Sequence, residues 1–430
     1  MSMKSLNSIL NRISQSERLS GAFAIFKSFI LQLVIQGIYF VILARSLGSE
    51  KYGAYVGIIA VVSIFIPFAS WGSEKIIIQN VSRDRNTFRE AWGTGILKTL
   101  IFGSVFISLI LIVYSFFPLP GISVLTVFLI ALANLIFLRL NDLVRDSFVG
   151  VGLLNYTART IFLVSLNRFF AVLFLILISR TPSIVTWSAL YCLATFLSAV
   201  FSTHLLVKQV DYPLFLLHRV KRNLKLGFSF AIGISAQSIY NDLDKSMLAK
   251  LAVSTEAAGI YGAAYHILNV SFTPILSVAM ASFRNFFQKG TQGIKGSFEL
   301  CKKLLPMSVG YSIAAIVALA ICSPLIPIIL GSEYANSAIA VVLLSPTIFF
   351  KTMHIFAADT LTGADLQSVR SGSQVVVAIV NGVLNFWLIP LYSWRGAIAA
   401  TIISELLLTL LLWGAVFIYS RKAKTANRST

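Results

Sequence analysis

Leu47-Gly48-Ser49-Glu50-Lys51-Tyr52-Gly53-Ala54-Tyr55 is echoed 206 residues later by Val253-Ser254-Thr255-Glu256-Ala257-Ala258-Gly259-Ile260-Tyr261, with Glu, Gly and Tyr coinciding. Pro67 interrupts one apolar run and Pro274 another, 207 residues on. Asp146-Ser147-Phe148-Val149-Gly150 and Asp359-Thr360-Leu361-Thr362-Gly363 end two more runs, 213 residues apart. Each match is weak alone. Three of them in one order, at nearly one offset close to half of the 430 residues, read as an internal repeat.

What is repeated is apolar. Hydrophobic residues make up 57% of the chain and charged ones 12%, where soluble domains carry about 25% charge. Mean hydropathy is +0.84. A surface this poor in charge has to face lipid, which excludes a cytosolic enzyme, a secreted domain and a disordered regulator. Crossing the hydrocarbon core takes about 20 mostly apolar residues. Twelve runs qualify: 20–43, 53–74, 94–117, 121–139, 160–179, 184–207, 226–249, 258–282, 304–330, 337–358, 371–391 and 396–419. The segments between them are too short to fold alone. The polar Met1–Ser20 precedes an apolar run too long for a signal h-region, so no cleavage is expected. Cys192, Cys301 and Cys322 have no metal-type spacing and read as free thiols.

The chain carries 35 Lys and Arg and a formal net charge of +19. On a soluble protein that would suggest nucleic acid; here placement explains it, and no nucleic-acid partner is expected. Of the 35, 26 sit at the two ends and the even-numbered connections, counting Lys98 and Arg139 just inside the adjoining spans, against five (Arg45, Lys51, Arg180, Lys250, Arg395) at the odd-numbered ones. The remaining four, Lys27, Arg168, Lys245 and Lys351, fall within spans. An excess of Lys and Arg marks the cytoplasmic side, so both termini are expected in the cytoplasm.

An even number of spans per half gives the halves one orientation, hence parallel repeats about an axis along the membrane normal. The expected fold is an all-α integral membrane protein of about 12 transmembrane helices in two parallel six-helix bundles. Its parts are a cytoplasmic amino-terminal segment (1–19), an N-terminal bundle (20–207), a basic cytoplasmic linker (208–225), a C-terminal bundle (226–419) and a cytoplasmic tail (420–430). Within the linker, Tyr212–Arg222 mixes apolar and basic residues as a helix lying on the cytoplasmic leaflet would.

Ala44-Arg-Ser-Leu-Gly-Ser-Glu-Lys-Tyr-Gly53 and Glu256-Ala-Ala-Gly-Ile-Tyr-Gly-Ala-Ala-Tyr265 resemble motifs of polysaccharide repeat-unit flippases. So do Leu330-Gly-Ser-Glu-Tyr334 and Asn385-Phe-Trp-Leu-Ile-Pro-Leu-Tyr392, which continues through Gly396–Thr401 to Ser404-Glu405. These are O-antigen-type flippases, the polysaccharide transporter branch of the multidrug/oligosaccharidyl-lipid/polysaccharide (MOP) exporter superfamily. The resemblance covers nearly the whole chain in motif order and implies a MATE/MOP-like fold in the bacterial inner membrane. It further implies transport of an undecaprenyl-diphosphate-linked oligosaccharide, such as an O-antigen or lipopolysaccharide unit, from the cytoplasmic to the periplasmic leaflet. The route would be a central cavity, often cationic, with alternating access coupled to H⁺ or Na⁺. A polysaccharide polymerase and a chain-length regulator are the partners it suggests.

An ionisable side chain within a span needs a partner or a wet cavity. A diphosphate calls for positive charge there, and Arg binds phosphate oxygens bidentately where Lys acts as a point charge. Arg168 and Lys27 are therefore expected to line a cationic substrate cavity, with Lys351 a further member; Lys27 and Lys351 also lie where a side chain can snorkel to the interface. Ser28, Gln32 and Gln36 recur every four residues and form a polar face on the first span, facing either the cavity or a neighbouring helix. In the seventh span Gln237, Asn241 and Asp244 share a face, and Asp242 lies three residues from Lys245, close enough to pair. Asp242, Asp244 and Lys245 are ion-coupling candidates or a structural ion pair. Glu405, beside Ser404, is the other coupling candidate, or the partner of a buried cation such as Arg168. Pro67, Pro274 and Pro346 kink their spans, with or without gating.

No Gly-x-x-x-x-Gly-Lys-[Ser/Thr] loop is present, so ATP is not expected to drive the protein directly. No catalytic residue, cofactor or metal is expected. Two rival readings remain: a multidrug/cation antiporter on the same architecture, which calls for an acidic cavity, and a membrane-embedded polysaccharide polymerase or ligase, which calls for a sizeable periplasmic loop. A scaffolding role leaves the intramembrane charges without purpose.

Overall fold

The structure is a computed structural model, and it describes side chains from residue 34 to 422, except at 82–83, 120, 180–181, 222–223, 225–226, 229–230, 232–234, 236–241, 280–281, 284 and 292. Among the described residues every regular element is helical. The first half contains α1 (Met3–Ala69), α2 (Ser73–Arg83), α3 (Phe88–Phe116), α4 (Val124–Leu132), α5 (Leu138–Val151), α6 (Leu154–Ile178) and α7 (Ile184–Gln209). The second contains α8 (Leu224–Leu251), α9 (Glu256–Gly290), α10 (Ile294–Cys322), α11 (Ile326–Leu330), α12 (Ala335–Leu344), α13 (Pro346–Gly363), α14 (Gln367–Tyr392) and α15 (Trp394–Ala426).

All twelve apolar runs fall on helix. Eight helices of the described residues are long and apolar enough to cross a membrane, and nine if α12 and α13, bent by 44° at Ser345-Pro346, form one span. The count is below twelve for local reasons. The continuous stretch Val34–Val81 carries two runs, and α8 and α9 include residues outside the described set. Exposed Val105, Ile112, Phe174, Ile379 and Phe386 give these helices the apolar outer face that lipid requires. The protein is a multi-pass membrane protein.

Breaks fall where the sequence supplies them. Gly48, with φ 74° and ψ 168°, separates the two helical stretches of α1, a conformation that only glycine adopts without steric cost. Ser123 and Ser183 cap α4 and α7 by accepting from the backbone N–H of Thr126 and Thr186. Between α4 and α5 the chain widens into a π-helical turn, Ala133–Phe137. Pro346 stands at the first position of α13, where its missing N–H is harmless, whereas Pro67 and Pro274 lie inside α1 and α9. The described residues of the 212–222 segment do not form the expected helix: 211–216 has no regular structure and Leu217–Arg219 makes a single tight turn. Pro213 disfavours helix, and the segment is tied to α3 instead, through Leu214 N–H to the Arg89 carbonyl (2.9 Å) and Arg219 to Glu90 (2.7 Å).

The chain packs into two compact units, one of residues 1–47 and 58–235, the other of 48–57 and 236–430. In the first unit, Ile77, Phe88, Trp92, Leu143, Phe148 and Leu206 close a core. In the second, Ala357, Leu361, Val377, Leu408, Leu412 and Val416 do so. The repeated motifs serve matching purposes: Gly150 lets α5 back onto Ile77–Val81 of α2, and Gly363 lets α13 back onto Phe286 and Gly290 of α9.

Candidate functional site

In the first unit, charge gathers where α5 meets α6. Arg168 donates to the Tyr191 hydroxyl (3.0 Å), which donates to Asn134 Oδ1 (3.0 Å), and the Arg168 guanidinium lies 4.9 Å from the Tyr191 ring centre. Asn134 belongs to the π-helical turn, so the widened backbone sets the far end of this relay. Arg168 lines a cavity of about 230 Å³ with Gln36, Asn141, Asp142, Arg145 and Thr160. The amide of Asn141 is buried without a hydrogen-bond partner for its Nδ2 or Oδ1, the state of a group awaiting a polar ligand or water.

Asp142 is the carboxylate of this wall, and two arginines hold it: Arg139 at 2.5 Å and Arg145 at 2.6 Å. Arg145 also reaches Asp146 (2.9 Å), and Arg139 reaches Glu74 (3.4 Å). With its acid neutralised in this way, the cavity presents positive charge. The expectation for this region named Arg168 and Gln36, and the structure brings both to one cavity. It missed Arg139, Asp142 and Arg145, which counted only as charges near a connection. Their i, i+3, i+6 spacing on a helix that runs past the predicted span end was the available signal. Lys27 and Gln32 lie outside the described residues.

The second unit holds a longer chain of charged and polar groups. The Lys245 ammonium pairs with Asp242 and stands 4.1 Å from the ring centre of Tyr265. The Tyr265 hydroxyl accepts from Lys351 Nζ (3.0 Å), which lies 3.9 Å from Glu405 Oε1. Glu405 Oε2 meets His354 Nε2 at 2.8 Å. Beside this row, Tyr261 donates to the buried Asp244 carboxylate and its hydroxyl lies 2.9 Å from Thr401 Oγ1. Tyr261 and Tyr265 stack at 5.8 Å. Every ion-coupling candidate of the sequence (Asp242, Asp244, Lys245, Glu405) therefore meets in one network spanning α8, α9, α13 and α15, and Lys351 belongs to it too. Glu405, whose side chain is 2% exposed, faces Lys351 and His354. His354, one turn after Lys351 on α13, carries no sequence signal that had singled it out. Gln237 and Asn241 lie outside the described residues. Asn385 and Asn381 extend the polar row by hydrogen bonds to each other (3.0 Å) and to Ser404 (3.1 Å).

Buried charges paired in this way are costly to build and fall apart when one member is removed.

A family profile described as "Polysaccharide biosynthesis protein" matches residues 19–288. The chain belongs to this family. None of the curated proteins matches it. Among solved structures, this polysaccharide biosynthesis protein is similar to a multidrug resistance MATE family transporter of the MOP superfamily in an inward-facing conformation. The identity is 14%, covering 93% of this chain and 96% of the other with a TM-score of 0.75. It is also similar to the lipid II flippase MurJ in an inward closed conformation, at 14% identity over 93% of this chain and 87% of the other, with a TM-score of 0.72. A third similar structure is a MOP superfamily transporter from Pyrococcus furiosus whose binding pocket is described as having reverse polarity, at 14% identity over 92% of this chain and 96% of the other, with a TM-score of 0.63. At such identities the likeness shows the fold, that of the MOP superfamily.

Proposed function

We propose that the protein flips a lipid-linked oligosaccharide, carried on undecaprenyl diphosphate, from the cytoplasmic to the periplasmic leaflet of a bacterial inner membrane. The unit is an O-antigen or similar surface polysaccharide. Transport proceeds by alternating access and delivers the unit to a polymerase and its chain-length regulator. Family membership places the chain in polysaccharide biosynthesis. The single observation that carries the reading further is the Arg168 cavity: a guanidinium held by Tyr191, itself held by Asn134, beside Arg145, in a wall whose one carboxylate is already paired. A diphosphate is the anion such a site fits, because its oxygens accept in pairs from planar guanidinium groups. That charge balance also disfavours a multidrug antiporter, whose cationic cargo needs unpaired acid.

Coupling to an H⁺ or Na⁺ gradient is assigned to Asp244 and Glu405, buried carboxylates with hydroxyl, ammonium and imidazole neighbours close enough to compete with an ion. No chemical step is required of the protein. The test is the leaflet distribution of the lipid-linked oligosaccharide in cells lacking the gene and any paralogue. Accumulation on the cytoplasmic side, relieved by the wild-type gene and not by Arg168→Ala, is expected. Normal arrival at the periplasm in the deletion strain overturns the reading.

A further inference from the structure

Asp142 lines the same cavity as Arg145 and Arg168, and it holds Arg145 as a phosphate oxygen would. It stands between two arginines of its own helix, three residues away on either side: Arg139 Nη2 at 2.5 Å and Arg145 Nη1 at 2.6 Å. The row continues at both ends. Arg145 Nε reaches Asp146 Oδ1 at 2.9 Å, Lys75 Nζ lies 3.7 Å from Asp146 Oδ2, and Arg139 Nη1 lies 3.4 Å from Glu74 Oε1. Base and acid therefore alternate along Glu74, Arg139, Asp142, Arg145, Asp146 and Lys75. Of these six, Asp142 and Arg145 line the cavity and the other four do not.

One link of such a row can open without stranding a charge. When Arg145 turns from Asp142 to another anion, Asp142 keeps Arg139, Arg139 keeps Glu74, and Arg145 keeps Asp146. The large cost of breaking a buried ion pair comes from the charge left alone, and this exchange leaves none. Arg145 is also the more accessible of the two arginines, with 34% of its side chain exposed against 15% for Arg139. Carboxylate and phosphate offer a guanidinium the same kind of acceptor oxygens. Resting on the reading of this cavity as a diphosphate site, we propose that Asp142 is a built-in competitor of the cargo. It yields Arg145 to a phosphate group when the diphosphate enters and takes Arg145 back when the diphosphate leaves. Asp142 thereby keeps affinity below what the arginines alone would give, and so permits release.

The full chain, purified in a neutral maltoside detergent, is titrated calorimetrically with geranyl diphosphate, with geraniol as the control for the tail. Wild type binds the diphosphate saturably, and Arg168→Ala weakens binding. Asp142→Asn binds about tenfold more tightly than wild type, the gain of one charge-assisted contact freed from competition. The gain disappears in an Arg145→Gln background, because it acts through that guanidinium. Cells carrying Asp142→Asn nevertheless display less surface polysaccharide than wild type at equal protein level. A merely structural role for Asp142 would weaken binding and transport together. If Asp142→Asn does not purify folded, Asp142→Ser is read in the same way. Absence of saturable binding to wild type removes the diphosphate reading and this proposal with it. Binding that is weakened by Arg168→Ala but equal or weaker in Asp142→Asn overturns this proposal alone. So does a gain that persists with Arg145→Gln, or undiminished surface polysaccharide.

Discussion

Gly53 and Gly259 stand backbone to backbone: a side chain on Gly53 would run into the Thr255 carbonyl and the Gly259 nitrogen, and one on Gly259 would run into the Ser49 carbonyl. The two copies of the repeated motif are therefore packed on each other. Thr255 fastens the contact by donating to the Glu50 carbonyl at 3.0 Å.

Gly53→Ala forces the two helices apart, an overpacking change that costs about 1–3 kcal/mol. A lower thermal midpoint for the detergent-solubilised protein is expected, with Gly259→Ala behaving alike. A midpoint equal to wild type in both variants contradicts the packing described.

Glu333 Oε2 accepts from Ser49 N–H at 3.0 Å, serving the helical stretch that begins after Gly48. Glu333→Ala removes this cap and costs about 1 kcal/mol; Glu333→Gln, which keeps an acceptor, loses less. Thermal unfolding of the two variants side by side checks the order.

Arg168→Ala abolishes the guanidinium that Tyr191 orients, and oligosaccharide transport falls at least about tenfold, the loss of one charge-assisted contact, at normal protein levels. Arg168→Lys keeps the charge without the planar fork and recovers only part. Full transport by Arg168→Ala, measured by surface polysaccharide, removes this residue from the mechanism.

Lys351 and Glu405 test whether the second-unit network is a unit. Lys351→Met takes the ammonium away from the Glu405 carboxylate, and breaking a buried pair costs about 3–5 kcal/mol. Adding Glu405→Gln removes the orphaned charge, so the double variant is expected to be more stable than Lys351→Met. A double variant that loses the sum of the Lys351→Met and Glu405→Gln losses would mean that the two do not interact.

Glu405→Gln alone also tests ion coupling. Transport into everted vesicles should lose its dependence on the imposed H⁺ or Na⁺ gradient while gradient-independent exchange persists. Gradient dependence identical to wild type assigns the ion elsewhere.

Helices, their order and their breaks were legible in the sequence because apolar length and punctuating Gly, Pro and Ser are local signals. Ser123 and Ser183 mark helix starts, and Gly48 a bend, without reference to anything distant. The Asp242–Lys245 pair was legible for the same reason, being three residues apart on one helix. Glu405 was recognised as buried and in need of a cation, yet its partners Lys351 and His354 come from a helix about fifty residues away, and no spacing rule selects them. The Arg139–Asp142–Arg145 cluster escaped because basic residues near a helix end also encode topology, and sequence alone does not separate the two uses. In the segment after α7 the mixture of apolar and basic residues suggests a helix, but Pro213 and the ties of the Leu214 N–H to Arg89 and of Arg219 to Glu90 set its backbone, while Tyr212, Phe215 and Leu217 stay exposed.

Residues 48–57 belong to the same compact unit as 236–430, which sets an order of events during synthesis. Gly53 leaves the ribosome 206 residues ahead of Gly259, an interval of roughly ten to forty seconds at ordinary elongation rates. For that time the residues of 236–430 that the segment packs with have not been made. Severing the chain between the halves would leave the wait to depend on a second synthesis, so co-produced fragments should mature only when the second is made early enough to receive the first.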